Sequence, residues 1–292
     1  MIAALLFALT LAGPSSDPRQ LLRERYESEV REIASGVDGV LGVTILDLVT
    51  GDRISVDGDV VFTQASAIKL PLLVELMFQV EAGKHSLDEE VRLQVSDVTA
   101  GSGVLQQLTT GRVSLPLRDV ATLMITVSDN TATNMVIDRV GMENVNAAMD
   151  RLGLPATRLQ RKMMDDAAWR ADRENVSTPN EQARLLELLY KGDILRKESR
   201  DEILRILSIP KPGHIRTLLP EGTRVAHKTG GISGVVVDVG IVYLPERPFI
   251  VSAMANWLRD SSEAERAIAE ISRTAYRYFD RLANSNSYGH KK

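Results

Sequence analysis

Ser66 and Lys69 stand three residues apart in Ala65-Ser66-Ala67-Ile68-Lys69-Leu70-Pro71. At a helix start that spacing puts them one turn apart on the same face. A serine hydroxyl is a poor nucleophile until a base takes its proton, and a lysine serves when burial and nearby positive charge lower its pKa. Two further motifs follow in chain order, Ser128-Asp129-Asn130 and Lys228-Thr229-Gly230-Gly231. Together the three supply a nucleophile, a proton shuttle and an anion-binding edge, the equipment for attacking an activated carbonyl and holding the acyl group on serine. Ser66 would attack and Lys69 would act as base. Ser128 would relay a proton to the leaving nitrogen, and Asn130 would orient Lys69 and bind a substrate amide. Lys228 would raise the positive potential, and Thr229 would bind a substrate carboxylate. The backbone N–H groups of Ser66 and Gly231 would form an oxyanion hole. Singly, each motif has an ordinary reading: a helix cap with a solvated lysine, a polar turn, and an edge lysine with a glycine bulge.

The elements that must position these groups are legible in outline. Asp17-Pro18 caps a helix whose apolar residues Leu21, Leu22, Tyr26, Val30 and Ile33 recur at helical spacing, and Gly36 ends it. A hairpin follows, from Leu41 through a turn at Thr50-Gly51-Asp52. Pro71 fits poorly deep in a helix, which puts Ser66 near a helix start, where developing negative charge is favoured. Residues 64–205 carry mostly helical patterns, including a buried helix from Arg118 to Ser128 and another opened by Ser177-Thr178-Pro179. Three Val- and Ile-rich strands are expected over Thr223–Lys228, Val235–Leu244 and Phe249–Asn256, so that Lys228-Thr229-Gly230 closes the first. Ser262 and Glu265 have capping-box spacing for a final helix, and residues 284–292 read as a frayed polar tail. Strands from both ends must share one sheet, since a lone hairpin is unstable. A nucleophile where sheet and helical block meet would lie in a cleft.

Composition narrows the classes. The formal net charge of −4 gives no nucleic-acid footprint. With no cysteine, disulfides, thiolate metal sites and a lipoprotein anchor are excluded. His85, His214, His227 and His290 lack metal-ligand spacing, and no cofactor is expected. Residues 2–12, IAALLFALTLA, are too short to span a bilayer and end in a small-x-small site. They read as a secretory leader, although the basic start is missing. A periplasmic or secreted monomer with no stable membrane anchor after cleavage is expected.

On its three motifs and their order, the chain resembles the serine β-lactamase and penicillin-binding superfamily, most closely its class A β-lactamase-like branch. The resemblance covers about residues 20–283. It implies an α+β fold, with an antiparallel five-stranded sheet flanked by helices beside an all-helical subdomain. The first part would comprise residues 17–62 and 206–284, the second residues 63–205, with 285–292 as a tail. It further implies an acyl-Ser66 intermediate, with Lys69, Ser128 and Lys228 as catalytic groups. Asn130, Thr229, Gly230 and Gly231 would hold a small β-lactam or peptidoglycan-derived substrate. Departures lie in the omega loop and in substrate anchoring. Class A relatives carry an omega-loop glutamate that activates the deacylating water. That loop here would span residues 161–179, and Met163 falls at the glutamate's place, leaving Asp165 or Asp166 as substitute bases. The aspartate that usually pairs with the loop's first arginine is also missing, with Asn175 nearest and Glu174 beside it. No arginine follows Lys228-Thr229-Gly230 up to Leu244, so His214 or Arg216 would help hold a substrate carboxylate. Acylation is therefore expected to outrun deacylation. The alternatives are a penicillin-binding-type D-alanyl carboxypeptidase or small-ester hydrolase, and a non-catalytic β-lactam or peptidoglycan sensor.

Overall fold

Period-two alternation along the strands decides the architecture. Val237, Val239 and Ile241 are buried in one core, whereas their neighbours Val236 and Val242 are buried in a second. The sheet is thus covered on both faces. The computed structural model describes residues 17–292, and the leader expected over residues 1–12 lies outside the described residues.

In chain order, helix α1 (Pro18–Ser35) precedes strands β1 (Val40–Asp47) and β2 (Arg53–Val56). Strand β3 (Phe62–Thr63) leads through a 3-10 turn (Ala65–Ile68) into α2 (Lys69–Glu81). A ribbon of β4 (Glu90–Arg92) and β5 (Ser114–Pro116) precedes α3 (Leu117–Thr126), α4 (Asn130–Val140) and α5 (Met142–Arg151). The short α6 (Asp166–Arg170) and β6 (Val176–Ser177), the latter paired with β3, lead to α7 (Pro179–Lys191) and α8 (Lys197–Ser208). Strands β7 (Val225–Ile232), β8 (Val235–Val242) and β9 (Phe249–Asn256) and helix α9 (Ser261–Ala283) follow.

The main sheet has five strands in the order β2-β1-β9-β8-β7, all antiparallel. Strands from the two ends of the chain meet along β1 and β9, in register from Val40 with Asn256 to Asp47 with Phe249. Helices α1 and α9 cover the outer face, where Tyr26 stacks on Tyr278 at 4.3 Å and Phe279 packs on Phe249 at 4.8 Å. Helix α7 packs on the inner face. Helix α2 is buried on almost every side, with Leu70, Leu72, Leu73, Leu76 and Met77 in the inner core, as suits a central helix. The α+β class and the antiparallel five-stranded sheet implied by the resemblance are what the structure has.

Local details differ from the sequence reading. Strand β7 does not stop at Lys228-Thr229-Gly230 but continues to Ile232, because Gly230, Gly231 and Ile232 still pair with Val237, Val236 and Val235. The cap of α9 is Asp260, whose carboxylate accepts from Ser262 N at 2.9 Å, instead of the capping box at Ser262. Helix α3 ends at Thr126, and Ser128 itself adopts a left-handed φ of 54°. Residues 284–292 fold back, with Lys292 N donating to Asn284 O at 2.8 Å. The cap of α7 is as read: Thr178 accepts from Glu181 N, with Pro179 first in the helix. No helix among the described residues is long and apolar enough to cross a membrane.

Candidate active site

Ser66 lies in the 3-10 turn that runs directly into α2. Its side chain is half-buried while Ala65, Ala67, Ile68 and Lys69 around it are buried. Ala65 carries a φ of 43°, a left-handed conformation that costs an alanine energy and persists only when its surroundings enforce it. One enforcing contact comes from β7. A side chain on Gly230 would place its Cβ 2.6 Å from Gln64 O and 3.0 Å from the backbone nitrogens of Ser66 and Ala67. Only glycine lets this strand lie so close to the turn. Gly230 is therefore needed for contact between backbones, and Gly231 next to it is exposed.

Lys69 is fully buried, and its ammonium nitrogen donates to Ser128 O at 2.7 Å, Ser128 Oγ at 3.0 Å and Asn130 Oδ1 at 3.0 Å. Burial, and then the charge of Lys228, hold Lys69 well below the ordinary lysine range, with Asp129 opposing. A neutral lysine keeps two N–H donors and gains a lone pair, so it can satisfy Ser128 O and Asn130 Oδ1 and still accept a proton. Ser66 Oγ makes no hydrogen bond among the described residues. Catalytic hydrogen bonds are commonly looser before substrate arrives.

Ser128-Asp129-Asn130 divides into three jobs. Ser128 Oγ lies between the two lysines, accepting from Lys69 Nζ at 3.0 Å and from Lys228 Nζ at 3.2 Å. Asp129 caps α4 through Ala132 N at 2.9 Å and accepts from Val104 N and Leu105 N at 2.6 and 2.8 Å. It ties the 101–105 loop to the helix and thereby fixes the strained Ser128. Asn130 orients Lys69 and donates to Ala100 O at 3.0 Å.

Lys228 is buried, and its other bond is to Thr229 O at 2.6 Å. Burial, with Lys211 adding to it and Asp238 opposing, lowers its pKa to about 7. Thr229 is half-buried beside it on the sheet's edge strand. Of the two residues considered for a carboxylate, Arg216 donates to Lys211 O at 3.1 Å, and His214 is half-buried in the same loop.

The loop over residues 161–175 is closed by Arg161, which forms a two-pronged pair with Glu174, Nη2 to Oε2 at 2.9 Å and Nε to Oε2 at 3.1 Å. Asn175 Oδ1 accepts from Gln160 N and Arg161 N at 2.8 and 3.1 Å. Of the two candidates for the missing aspartate, Glu174 pairs with the arginine and Asn175 holds the backbone. Asn175 O also accepts from Gln64 N at 2.9 Å, joining the loop to the Ser66 turn. Met163 is buried in the inner core, its backbone clasped by Asn134, which accepts from Met163 N at 2.8 Å and donates to Met163 O at 3.1 Å. Asp165 caps α6, accepting from Ala168 N at 2.9 Å, and Asp166 is exposed in that helix's first turn. Sequence reasoning missed Asn134, although it lies one turn beyond Asn130 on α4. It also missed both tryptophans. Trp169, on the loop, and Trp257, after β9, line a cavity of about 400 Å³ with Ile232 and Ser233 at the tip of β7.

A family model described as the beta-lactamase enzyme family matches residues 25–279. The chain belongs to that family. Among solved structures it is similar to a beta-lactamase from Sphaerobacter thermophilus, with 32% identity and a TM-score of 0.80 over 88% of this chain and 97% of that one. It is equally similar to PBP-A, at 30% identity and a TM-score of 0.81 over 88% of this chain and 97% of that one. A leucine-to-glutamate mutant of PBP-A is known as an acyl-enzyme complex with penicillin G. Beta-lactamase VEB-1 of Pseudomonas aeruginosa is 23% identical over 300 residues, covering 96% of both chains. The class A-like resemblance read from the three motifs holds.

The buried Lys228 has a consequence for stability. Its folded pKa of about 7 lies below the ordinary lysine value of 10.5. Between the two, the unfolded chain binds more protons, so the lysine's destabilising effect shrinks as pH rises. Below about pH 7 both states hold the proton and the effect is full. Lys228→Met is therefore expected to gain most stability relative to wild type near pH 6, with the difference falling towards pH ~10. Urea denaturation of both proteins across that range checks it, and a pH-independent difference would contradict the burial of a charge at this position.

Proposed function

We propose that this chain is a secreted or periplasmic serine hydrolase that opens β-lactam amides through an acyl-Ser66 intermediate and releases the acyl group slowly. The observation carrying this reading is one hydroxyl, Ser128 Oγ, held between Lys69 Nζ at 3.0 Å and Lys228 Nζ at 3.2 Å. In acylation, neutral Lys69 takes the Ser66 proton as Ser66 Oγ bonds to the lactam carbonyl carbon. The Ser66 and Gly231 N–H groups face the developing oxyanion. The carbon–nitrogen bond then breaks, the ring nitrogen receives the Ser128 proton, and a lysine ammonium replaces it. Asn130 and Thr229 hold the substrate, Gly230 keeps β7 against the Ser66 turn, and Lys228 supplies positive potential. No cofactor enters these steps.

Release of the acyl group needs a base for the attacking water. Met163 offers none, since a thioether takes no proton at neutral pH. Asp165 is committed to its cap at Ala168 N, and Asp166 is turned to solvent at the loop surface. A second reading, a penicillin-binding-type D-alanyl carboxypeptidase or small-ester hydrolase, draws support from the same methionine and from the similarity to PBP-A. A sensor that is acylated once without turnover is the limiting case.

Ser66→Ala should abolish covalent labelling by a fluorescent penicillin without lowering the thermal midpoint, and Lys69→Ala should slow labelling by ~100-fold or more. Equal labelling of wild type and the serine variant would sink the acyl-serine reading. For release, intact-mass time courses with benzylpenicillin should show an adduct that accumulates on the wild type. Met163→Glu should shorten its lifetime, whereas Asp165→Asn and Asp166→Asn should leave it nearly unchanged. Rapid turnover with no adduct in the wild type, retained in both Asn variants, would refute the account of this loop. Secreted protein should begin near Gly13, and Edman sequencing that finds Met1 retained would reverse the localisation.

A further inference from the structure

Both tryptophans line one groove, and nothing in the steps above uses it. Trp169 comes to it from α6 and Trp257 from the segment after β9, 57% and 84% exposed. Trp257 stands there against two costs. Its φ is 63°, in the left-handed region that bulky residues avoid, and its indole gains almost no burial. A glycine would make the same turn with less strain. The turn is nonetheless held in place, since Leu258 N donates to Gly234 O at 3.1 Å and ties it to the turn between β7 and β8. Trp169 is likewise fixed, on a helix capped by Asp165, with Asp172 N donating to Trp169 O at 3.0 Å. Strain kept at an exposed aromatic side chain is expected where a ligand makes use of it.

The groove lies beside the nucleophile. Side chains alternate along a strand, so Ile232, which lines the groove, shares a face of β7 with Gly230, and Gly230 rests against the backbone of the Ser66 turn. Two strand residues span about 7 Å. Thr63, three residues before Ser66, also lines the groove. So does Glu174, next to Asn175, whose carbonyl accepts from Gln64 N at 2.9 Å. The lining is mixed in character. No lysine or arginine lines the groove among the described residues, and the Glu174 carboxylate is taken by Arg161. The Thr63 and Ser233 hydroxyls have no hydrogen-bond partner among the described residues. An anion would meet a carboxylate and no free cation, so the groove suits a neutral ligand. A wholly aromatic ring would leave both hydroxyls unpaired. A pyranose ring matches both features, with a face of C–H groups to lie on indole and a rim of hydroxyls for Thr63 and Ser233.

We propose that this groove is a saccharide subsite, in which a neutral N-acetylated sugar ring packs on Trp169 and Trp257 and hydrogen-bonds to Thr63 and Ser233. Its use in the reaction rests on the reading of Ser66 as the serine that takes the acyl group. The groove holds the glycan part of a peptidoglycan-derived substrate while Ser66 meets the peptide part. Three extended peptide residues cover about 10 Å, enough to run from Ser66 past Gly230 and Ile232 into the groove. The cavity of about 400 Å³ falls within the range of small-ligand sites. Trp169 and Trp257 thereby set which substrates bind, without touching the reacting atoms.

The test titrates triacetylchitotriose, a neutral trimer of N-acetylglucosamine, into the whole protein and reads binding by saturation-transfer NMR. The wild type should bind it, with the ring C–H protons of the sugar giving the strongest signals. Trp169→Ala and Trp257→Ala should each weaken binding by about 10-fold, the scale of one lost aromatic contact. Trp257 is exposed, so its variant should fold, which circular dichroism checks. No transfer to the sugar in the wild type, or unaltered affinity in the folded Trp257 variant, would overturn the proposal. Transfer to phenylacetylglycine but not to the sugar would also overturn it, and would make the groove a site for aromatic rings. In a second arm, a pentapeptide stem with and without its disaccharide competes with fluorescent penicillin for Ser66. The disaccharide form should compete at ~10-fold lower concentration on the wild type and lose that advantage on Trp257→Ala. Equal competition on the wild type would overturn the groove's part in the reaction. Sugar binding needs no acylation, so a failure of penicillin labelling at Ser66 would remove the functional reading and leave the first arm to decide.

Discussion

Everything in this site turns on two ammonium groups being buried around one hydroxyl. Lys69 and Lys228 both reach Ser128 Oγ, and like charges so close in a dry interior cannot both keep their protons cheaply. The fold accepts that cost and supplies compensation from several directions. Asn130 and Ser128 O give Lys69 fixed acceptors, and Thr229 O does so for Lys228. Asp129 holds the left-handed Ser128 in place by fastening the neighbouring loop to α4. Gly230 lets the edge strand close on the Ser66 turn. Each of these is a local irregularity with a cost of its own. They make sense only as supports for the lysine pair, as expected where strain is stored at a functional site.

How much of this could be read beforehand depended on whether the signal was chemical or geometric. Two of the three motifs and the lysine of the first named side chains that the fold brings together, Lys69, Ser128, Asn130 and Lys228, because residue type and order carry that information directly. The five-stranded sheet followed from Val- and Ile-rich runs at both ends of the chain, neither of which is stable alone. The strained turn at Ala65 left no trace, since alanine does not advertise a left-handed backbone as glycine does. The continuation of β7 to Ile232 was hidden for the opposite reason. Two consecutive glycines read as a break, yet ladder pairing with Val236 and Val237 overrides that local preference. Lys211 was silent because its partners are main-chain carbonyls, which no side-chain pattern reveals.

The loop over residues 161–175 is closed by two neighbouring residues with different partners. Here Glu174 takes the guanidinium and Asn175 takes the backbone nitrogens. Asn134 likewise clasps the backbone of Met163 on both sides, independently of what side chain stands there. The backbone of this segment is thus held by polar groups while the Met163 side chain packs into the core.

The chain has only two tryptophans, and both stand at the rim of one groove, with Trp169 57% and Trp257 84% exposed. Intrinsic tryptophan fluorescence will therefore report on this groove, which Ile232 and Ser233 at the tip of β7 also line, and not on the core. An emission change on adding a ligand speaks of that rim directly. An unfolding curve followed by the same light will register the opening of a surface loop, and agreement with circular dichroism becomes a measure of how tightly that loop is coupled to the rest of the molecule.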